Sequence, residues 1–317
     1  MSNDMPDAAA KLFFSLCDSG VDTDTAALRV KEEYGLDLSV LAIKQRALGW
    51  DGALGVKDLP DYDPGLPGEL VIPWQGATMV LADIHAPYHH TKALERALIQ
   101  ARAEHIDYCV LLGDTMDNDA YSYYSGITPP KSMKELDKQM TEVYRVLTAI
   151  ADTFKKVYVV RGNHDARPLK QLDKKLALKH FWKMFCLGEE GQPSIYDKFV
   201  ITERYYCSLV DTPLGDWRMM HQKEYSRLRG RVAERYADVK YPDRHVMTTH
   251  EHHQAKLVVR DHWAIQTGCL QDSKKTEYKE MRDTLHPPWV IGWAWINELG
   301  VPDIKNYVRE YEYQGGA

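Results

Sequence analysis

The segment from residue 108 to residue 118 constrains the fold more than any other part of the chain. Its first half, Tyr108 to Leu112, is apolar and has the length of a buried strand. Gly113 ends the apolar run, and two carboxylates three residues apart, Asp114 and Asp117, follow it. Because polar groups that follow the strands of an open α/β sheet collect at one edge, we expect Asp114 to lie at such an edge.

Four further strand-like runs end in polar residues. These ends are Asp83-Ile84-His85, Gly162-Asn163-His164-Asp165, His221 and His250-Glu251-His252. Asp83 and His85 are separated by one residue, and so are His250 and His252. Because side chains alternate between the two faces of an extended segment, each pair would lie on one face. Carboxylate, imidazole and amide ligands suit Mn, Fe or Zn rather than Ca or a thiolate-bound metal. We therefore expect the five blocks to converge on a pair of metal ions.

Strand-like and helix-like segments alternate between these blocks. Strands are expected at residues 77–82, 108–112 and 157–160, and helices at 90–103, 131–154 and 167–186. This alternation predicts a layered α/β fold. Later strand-like runs at residues 217–220, 245–248 and 256–259 indicate a mixed or antiparallel sheet, with an edge strand at 304–313. The tryptophans at 289, 293 and 295 are interpreted as core residues.

The order of the five blocks resembles that of the calcineurin-like metallophosphoesterase superfamily over residues 77–253. The resemblance implies a four-layer α/β/β/α sandwich with a dinuclear metal site at the sheet ends. It further implies that three side chains hold one metal, that three hold the other, and that Asp114 bridges them. The first set is Asp83, His85 and His252, and the second is Asn163, His221 and His250. Among Mn, Fe and Zn, manganese is favoured.

The same resemblance implies the hydrolysis of phosphate esters by attack of a metal-bridging hydroxide on phosphorus. Two ions about 3.5–4 Å apart can hold the hydroxide and clamp a phosphoryl oxygen. His164 would stand beside the phosphate and stabilise charge or protonate the leaving oxygen. Asp117 would orient His164 through a hydrogen bond. A buried, hydrogen-bonded histidine is the alternative interpretation of His221.

The sequence departs from the family pattern at several positions. Thr249 stands where the family usually has Gly before His-x-His, and Gln222 where it often has Gly after the fourth-block His. Asn118 and Asp165 stand where the Ser/Thr protein phosphatase branch typically has Arg and Glu. The last two differences argue against that branch and leave other branches open.

Two alternatives to a general phosphoesterase stay open. A nuclease or phosphodiesterase acting on DNA or RNA is favoured by a tyrosine-containing loop at residues 119–126, where Tyr121 could stack on a base. Arg161 is a further candidate for substrate binding, and arginines at 227, 229 and 231 could hold phosphates. The second alternative is a catalytically weak phosphoesterase fold that serves as a binding module.

Charge and composition divide the chain into parts. We predict a helix-turn-helix-like module at residues 1–56, a Pro-rich linker at 57–73 and a catalytic domain at 74–317. Residues 1–72 carry 13 acidic and 6 basic side chains, a balance of −7 against −6 for the whole chain, so the remainder is +1. That balance gives no reason to expect strong nonspecific nucleic-acid binding. No membrane span or secretory signal is recognisable, and the five widely spaced cysteines favour a reduced, cytoplasmic setting.

Overall fold

The computed structural model describes residues 5–48, 69–121, 133–171, 176–188, 191–275 and 289–307. Two compact units divide the chain, Met1–Leu66 and Pro67–Ala317. Most of the predicted linker, residues 57–68, lies outside the described residues. Its last four residues, Leu70–Pro73, form a strand and pair with the second unit's sheet. The predicted domain limits stay a prediction.

In the first unit the described residues, 5–48, form three helices, α1 (Asp7–Asp18), α2 (Thr23–Tyr34) and α3 (Val40–Leu48). Asp22 caps the start of α2, where its side chain accepts hydrogen bonds from two backbone N–H groups of the first turn. Gly35 ends α2 in the left-handed conformation, with φ of 58°. The three helices share one apolar core, whose buried members include Phe13, Val30 and Ile43.

The second unit contains twelve strands and five α-helices among the described residues. The strands are β1 (Leu70–Pro73), β2 (Thr78–Leu81), β3 (Tyr108–Leu112), β4 (Lys156–Val160), β5 (Phe199–Ile201), β6 (Tyr206–Val210), β7 (Trp217–Met220), β8 (His245–Thr248), β9 (Gln254–Val259), β10 (His262–Thr267), β11 (Gly292–Ile296) and β12 (Pro302–Asn306). The helices are α4 (Thr91–Ala103), α5 (Met133–Thr153), α6 (Arg167–Gln171), α7 (Leu178–Cys186) and α8 (Arg231–Arg235).

The strands form two six-stranded sheets. One has the order β12-β11-β2-β3-β4-β5, in which β2 to β5 are parallel and β11 and β12 complete the edge in antiparallel pairing. The other has the order β1-β6-β7-β8-β10-β9 and is mixed. Parallel pairing of β2, β3 and β4 sends their carboxyl ends to one edge, where three of the polar blocks begin.

Alternation along the strands divides the apolar side chains between two layers of core. Val110 and Leu112 of β3 face the other sheet, where they join Trp217 and Met219 of β7 in one cluster. Cys109 and Leu111 instead face α4, α5 and α7. A smaller apolar cluster joins α8 to the outer face of β8 and β10. The result is the predicted four-layer α/β/β/α sandwich.

Several predicted elements are confirmed and others need correction. The strands at 108–112, 217–220 and 245–248 have the predicted bounds. The single helix predicted over residues 167–186 is wrong, because Ala177 has an extended backbone (ψ of 151°) and caps a separate helix, α7. The part of the edge strand predicted beyond residue 307 lies outside the described residues. No helix in the described part of the chain is long and apolar enough to cross a membrane.

Candidate metal centre

Five loops bring the predicted ligands to one place at the sheet edge. Asp83, Asp114 and Asn163 follow the adjacent parallel strands β2, β3 and β4. His221 follows β7, and the His250 block follows β8, in the facing sheet. Since the apolar faces of the two sheets pack together, their ends meet, and ligands distant in sequence become neighbours.

Left-handed backbone, rather than extended alternation, aims these side chains inward. Asp83, His85 and Asp114 have φ of 47°, 51° and 48°, and His250 and His252 have φ of 87° and 57°. Such conformations are uncommon for residues other than Gly, although Asp, Asn and His adopt them most readily. The expectation that each pair lies on an extended segment is therefore wrong, although the side chains do converge. Strained backbone of this kind is concentrated at functional sites.

Two glycines allow the loops to approach closely. A Cβ at Gly113, whose φ is 83°, would lie 2.4 Å from Nδ1 of His221. A Cβ at Gly162 would lie 2.1 Å from both the backbone nitrogen and Oδ1 of Asp114. A larger residue at either position would push apart the strand ends that carry the candidate ligands.

Asp83, His85 and His252 form the first cluster. Their ligand atoms lie close enough together to hold one metal ion. Oδ1 of Asp83 is 3.9 Å from Nε2 of His85 and 3.4 Å from Nε2 of His252. Both Oδ1 of Asp83 and Nε2 of His85 are buried and have no hydrogen-bond partner among the described residues. Buried ligand atoms without partners fit a metal ion, since leaving them unsatisfied would be costly.

Asp114, His221 and His250 form the second cluster. Nε2 of His221 lies 3.4 Å from Oδ2 of Asp114 and 2.9 Å from Oδ1 of Asn163. The same Oδ2 atom lies 3.7 Å from Nε2 of His85 in the first cluster. Asp114 therefore stands between the clusters, where a bridging carboxylate is expected. His221 is both buried and hydrogen-bonded, and it also lies among the candidate ligands.

His164 lies at the mouth of the centre and is held from several sides. Its backbone N–H donates to Oδ1 of Asp114 at 2.7 Å. Nδ1 of its ring is 3.1 Å from the backbone carbonyl of Asp117 and 3.4 Å from Oδ2 of the same residue. That carboxylate is closer to Nδ1 of His85, at 2.9 Å. Asp117 thus contacts the predicted ligand His85 in addition to His164, the single partner predicted from the sequence.

Arg167 is a site residue that the sequence analysis missed. Its guanidinium donates to the backbone carbonyl of Asp117 at 2.9 Å and lies 3.2 Å from Oδ1 of that residue. Its second terminal nitrogen lies 2.9 Å from Nε2 of His164. Arg167 begins α6, three residues after His164, and this helical spacing was the available signal.

The departures from the family pattern form hydrogen bonds within the site. The hydroxyl of Thr249 donates to Oδ2 of Asp83, which also accepts from the backbone N–H of His250 at 3.1 Å. Oε1 of Gln222 accepts from the backbone N–H of Thr249 at 3.2 Å. Asp165 is buried and accepts from the backbone N–H groups of Met116 and Gly162, which ties the second block to the third.

The carboxylates of Asp83 and Asp114 are ionised, and two of the facing histidines, His221 and His252, are easily protonated. Although burial opposes charge, His252 holds the pKa of Asp83 well below its usual range, and His221 does the same for Asp114. Against the effect of burial, Asp114 raises the pKa of His221 to about 9, and Cys269 together with Asp83 raises the pKa of His252 to about 10. Burial lowers the pKa of His250 to about 4. Concentrated buried negative charge of this kind attracts cations.

The two predicted substrate-binding residues lie in different surroundings. Cζ of Arg161 lies 4.2 Å from the centre of the Tyr205 ring, near the second cluster. Tyr121 packs its ring edge-on against Phe181, with centroids 6.2 Å apart, next to the apolar core. That packing gives its predicted role no support, and residues 122–126 of the loop lie outside the described part of the chain. Trp289, interpreted as core, is partly exposed and its ring lies 4.3 Å from that of His252.

Comparison with solved structures finds phosphoesterases and also Vps29 proteins, such as one from Entamoeba histolytica with 12% identity. An archaeal phosphodiesterase shares 14% identity, with 73% of this chain and 99% of that chain covered and a TM-score of 0.39. A phosphoesterase from E. coli shares 11% identity over 70% of this chain and 88% of that chain, with a TM-score of 0.35. A dimetal phosphatase from Danio rerio shares 10% identity over 73% and 95%, with a TM-score of 0.37. No curated protein sequence gives a significant match.

Comparison with family models identifies the family of the chain. The model described as calcineurin-like phosphoesterase matches residues 77–292, which is more than half of the chain and includes all five polar blocks. The chain therefore belongs to the calcineurin-like phosphoesterase family.

Proposed function

We propose that this protein is a hydrolase of phosphate esters that uses two divalent or trivalent metal ions. The observation that carries the proposal is the position of Asp114, whose Oδ2 atom lies 3.7 Å from Nε2 of His85 and 3.4 Å from Nε2 of His221. One carboxylate between two histidine-containing clusters fits a bridging ligand. Asp83, His85 and His252 would hold one ion, and Asn163, His221 and His250 the other, with manganese as the favoured metal.

Bound in these clusters, the ions would supply Lewis-acid charge and lower the pKa of water. The side chains supply the remaining functions. Asp83 and Asp114 stay ionised at neutral pH and so present anionic oxygens to cations. The hydroxyl of Thr249 and the backbone N–H of His250 both donate to Oδ2 of Asp83, which leaves its Oδ1 atom for a metal.

His164 is the proposed group for the leaving oxygen. Its ring is held by Asp117 at Nδ1, and Nε2 lies 4.0 Å from Oδ2 of Asp114, on the side of the ring that faces the centre. A guanidinium has no acceptor atom, so Nε2 accepts the 2.9 Å hydrogen bond from Arg167 in this structure. Nε2 must take up a proton in place of that bond before it can donate to an ester oxygen as the bond to phosphorus breaks. Arg167 would help to fix this ring and would place a permanent positive charge beside the phosphate.

Nuclease or phosphodiesterase activity is the second candidate. The observation that favours it is the positive charge of Arg161 near Asn163, since nucleic-acid substrates carry several phosphates. The acidic N-terminal segment weighs against broad nucleic-acid affinity. A cytoplasmic location remains a proposal drawn from the free state of all five cysteines.

A substrate panel tests the proposal. Purified protein would be incubated with Mn²⁺, Zn²⁺ or Fe²⁺ and with p-nitrophenyl phosphate, bis(p-nitrophenyl) phosphate or labelled single-stranded DNA. We expect metal-stimulated hydrolysis of at least one of these esters. Hydrolysis of none of them by metal-loaded protein would favour the binding-module interpretation instead.

A further inference from the structure

Two cationic side chains lie against one aromatic ring beside the second cluster. Cζ of Arg161 is 4.2 Å from the centre of the Tyr205 ring, and Nζ of Lys223 is 5.0 Å from it. Arg161 precedes Asn163 by two residues, and Lys223 follows His221 by two. The backbone N–H of His221 donates to the carbonyl of Tyr205 at 2.8 Å. The cations therefore adjoin the part of the centre formed by Asn163 and His221.

The positive charge of this pair is only partly balanced. Oε2 of Glu203 is 3.8 Å from Arg161, which is too long for a hydrogen bond. Nε of Arg161 is buried and has no hydrogen-bond partner among the described residues. Lys223 is exposed and forms no ion pair with any residue that the structure describes. A buried donor and a nearby free ammonium together suit an anion.

The ring of Tyr205 holds the two cations in a defined place. Cations are attracted to the face of an aromatic ring, and this attraction restricts two otherwise flexible side chains. The arrangement is separate from the group around His164. There, Arg167 lies 2.9 Å from Nε2 of His164, beside the proposed scissile phosphate. No hydrogen bond, ion pair or cation–ring contact among the described residues joins Lys223 to His164.

We propose that Arg161, Lys223 and Tyr205 form a subsite for a second phosphate group of the substrate. This inference rests on the proposed function, because it assigns the scissile phosphate to the metal centre. A guanidinium and an ammonium donate charge-assisted hydrogen bonds to phosphate oxygens. The preferred substrates would then carry at least two phosphates, as in a nucleotide chain or a nucleoside polyphosphate.

Equilibrium binding tests the subsite apart from the rate of hydrolysis. Full-length, Mn²⁺-loaded protein carrying His164→Asn, which keeps the candidate metal ligands and should slow turnover, would be titrated with thymidine 5′-monophosphate and with thymidine 3′,5′-bisphosphate. We expect the bisphosphate to bind about tenfold more tightly, as one or two hydrogen bonds to charged groups would provide. Thymidine 5′-diphosphate would be titrated in the same way. If it binds more tightly than the monophosphate and the 3′,5′-bisphosphate does not, the second phosphate belongs to a nucleoside polyphosphate rather than to a nucleotide chain.

Single substitutions identify the residues responsible for the preference for a second phosphate. Lys223→Ala and Arg161→Gln should each reduce the preference for a second phosphate to about twofold or less. Tyr205→Phe keeps the ring and should keep the preference, whereas Tyr205→Leu should lose it. Lys183→Ala is the matched control, because Lys183 lies 5.9 Å from the ring of Tyr196, on α7. That variant should keep the full preference.

The possible outcomes separate the subsite from the proposed function. Equal affinity for the mono- and polyphosphates in the His164→Asn protein with an intact subsite, or a preference that survives the further changes Lys223→Ala and Arg161→Gln, would overturn the subsite. If the preference is found but no phosphate ester is hydrolysed, the proposed function fails and the subsite stands. If esters are hydrolysed but the preference is absent, the hydrolase stands and the subsite fails.

Discussion

The carboxylate of Asp117 accepts a hydrogen bond from Nδ1 of His85 at 2.9 Å. Because a proton on Nδ1 leaves the lone pair on Nε2, this bond turns the metal-binding nitrogen of His85 toward Asp83 and Asp114. A carboxylate behind a histidine is a common arrangement at metal sites, where it fixes the ring and its tautomer. Asp117 therefore supports a candidate ligand as well as the candidate acid His164.

Replacement of Asp117 should weaken metal binding. We expect Asp117→Asn to lower the affinity for Mn²⁺ by about 10- to 100-fold, since the amide is a poorer partner for His85. Competition with a chelator of known affinity would measure the change. The control is Asp137→Asn, because Asp137 is exposed on α5. Unchanged affinity in Asp117→Asn would show that Asp117 acts through His164 alone.

His164 should affect the rate rather than the metal content. His164→Asn removes the proposed proton donor while it leaves the seven candidate ligands intact. We expect kcat to fall by about 10²- to 10⁴-fold, the usual contribution of general acid–base catalysis. Elemental analysis should find the same metal content as in the wild type. Loss of the metals, or an unchanged kcat, is incompatible with this role.

The hydroxyl of Thr249 should contribute to the first cluster. Thr249→Val removes the hydrogen bond to Asp83 but keeps the side-chain volume, so Oδ2 of Asp83 retains only the backbone N–H of His250. We expect metal affinity to fall by roughly tenfold. Thr249→Ser keeps a hydroxyl and should bind metal as the wild type does. If the valine variant binds metal equally well, the hydroxyl does not orient Asp83.

Metal binding should release protons at neutral pH. His221 and His252, whose pKa values are raised to about 9 and about 10, carry protons at pH 7 that a metal must displace. Metal affinity should therefore rise as the pH increases from 6 to 9. Calorimetry in buffers of different ionisation enthalpy should detect about two protons released per fully loaded chain. Affinity that is independent of pH over this range would show that these histidines are not ligands.

The candidate ligands were predictable from sequence because each follows a strand-like run. An apolar run such as Tyr108 to Leu112 predicts a buried strand, and the polar residues after the run indicate the carboxyl end of that strand. The parallel order of β2, β3 and β4 brings those ends together. Only the pattern of several blocks was informative, since a lone Asp at a strand end serves equally well in a turn.

Other features depend on contacts that the sequence pattern does not show. Strands β5 and β10 were missed because they are short or contain polar residues such as Gln266, whose burial depends on the neighbouring sheet. The left-handed backbone at His85 is set by the surrounding loops. Arg167 and Thr249 gain their contacts only when separate loops meet. Propensity and periodicity describe local structure, so they could not identify these relationships.

The two-metal assignment is tested most directly by metal titration of chelator-treated protein. Hydrolysis of p-nitrophenyl phosphate and bis(p-nitrophenyl) phosphate would be followed together with the number of Mn²⁺ ions bound per chain. We predict that activity appears as the second ion binds and that Asp114→Asn, which removes the proposed bridging carboxylate, abolishes it. Full activity with one ion or without metal would contradict the two-metal assignment. So would a chain that holds two ions and hydrolyses neither ester.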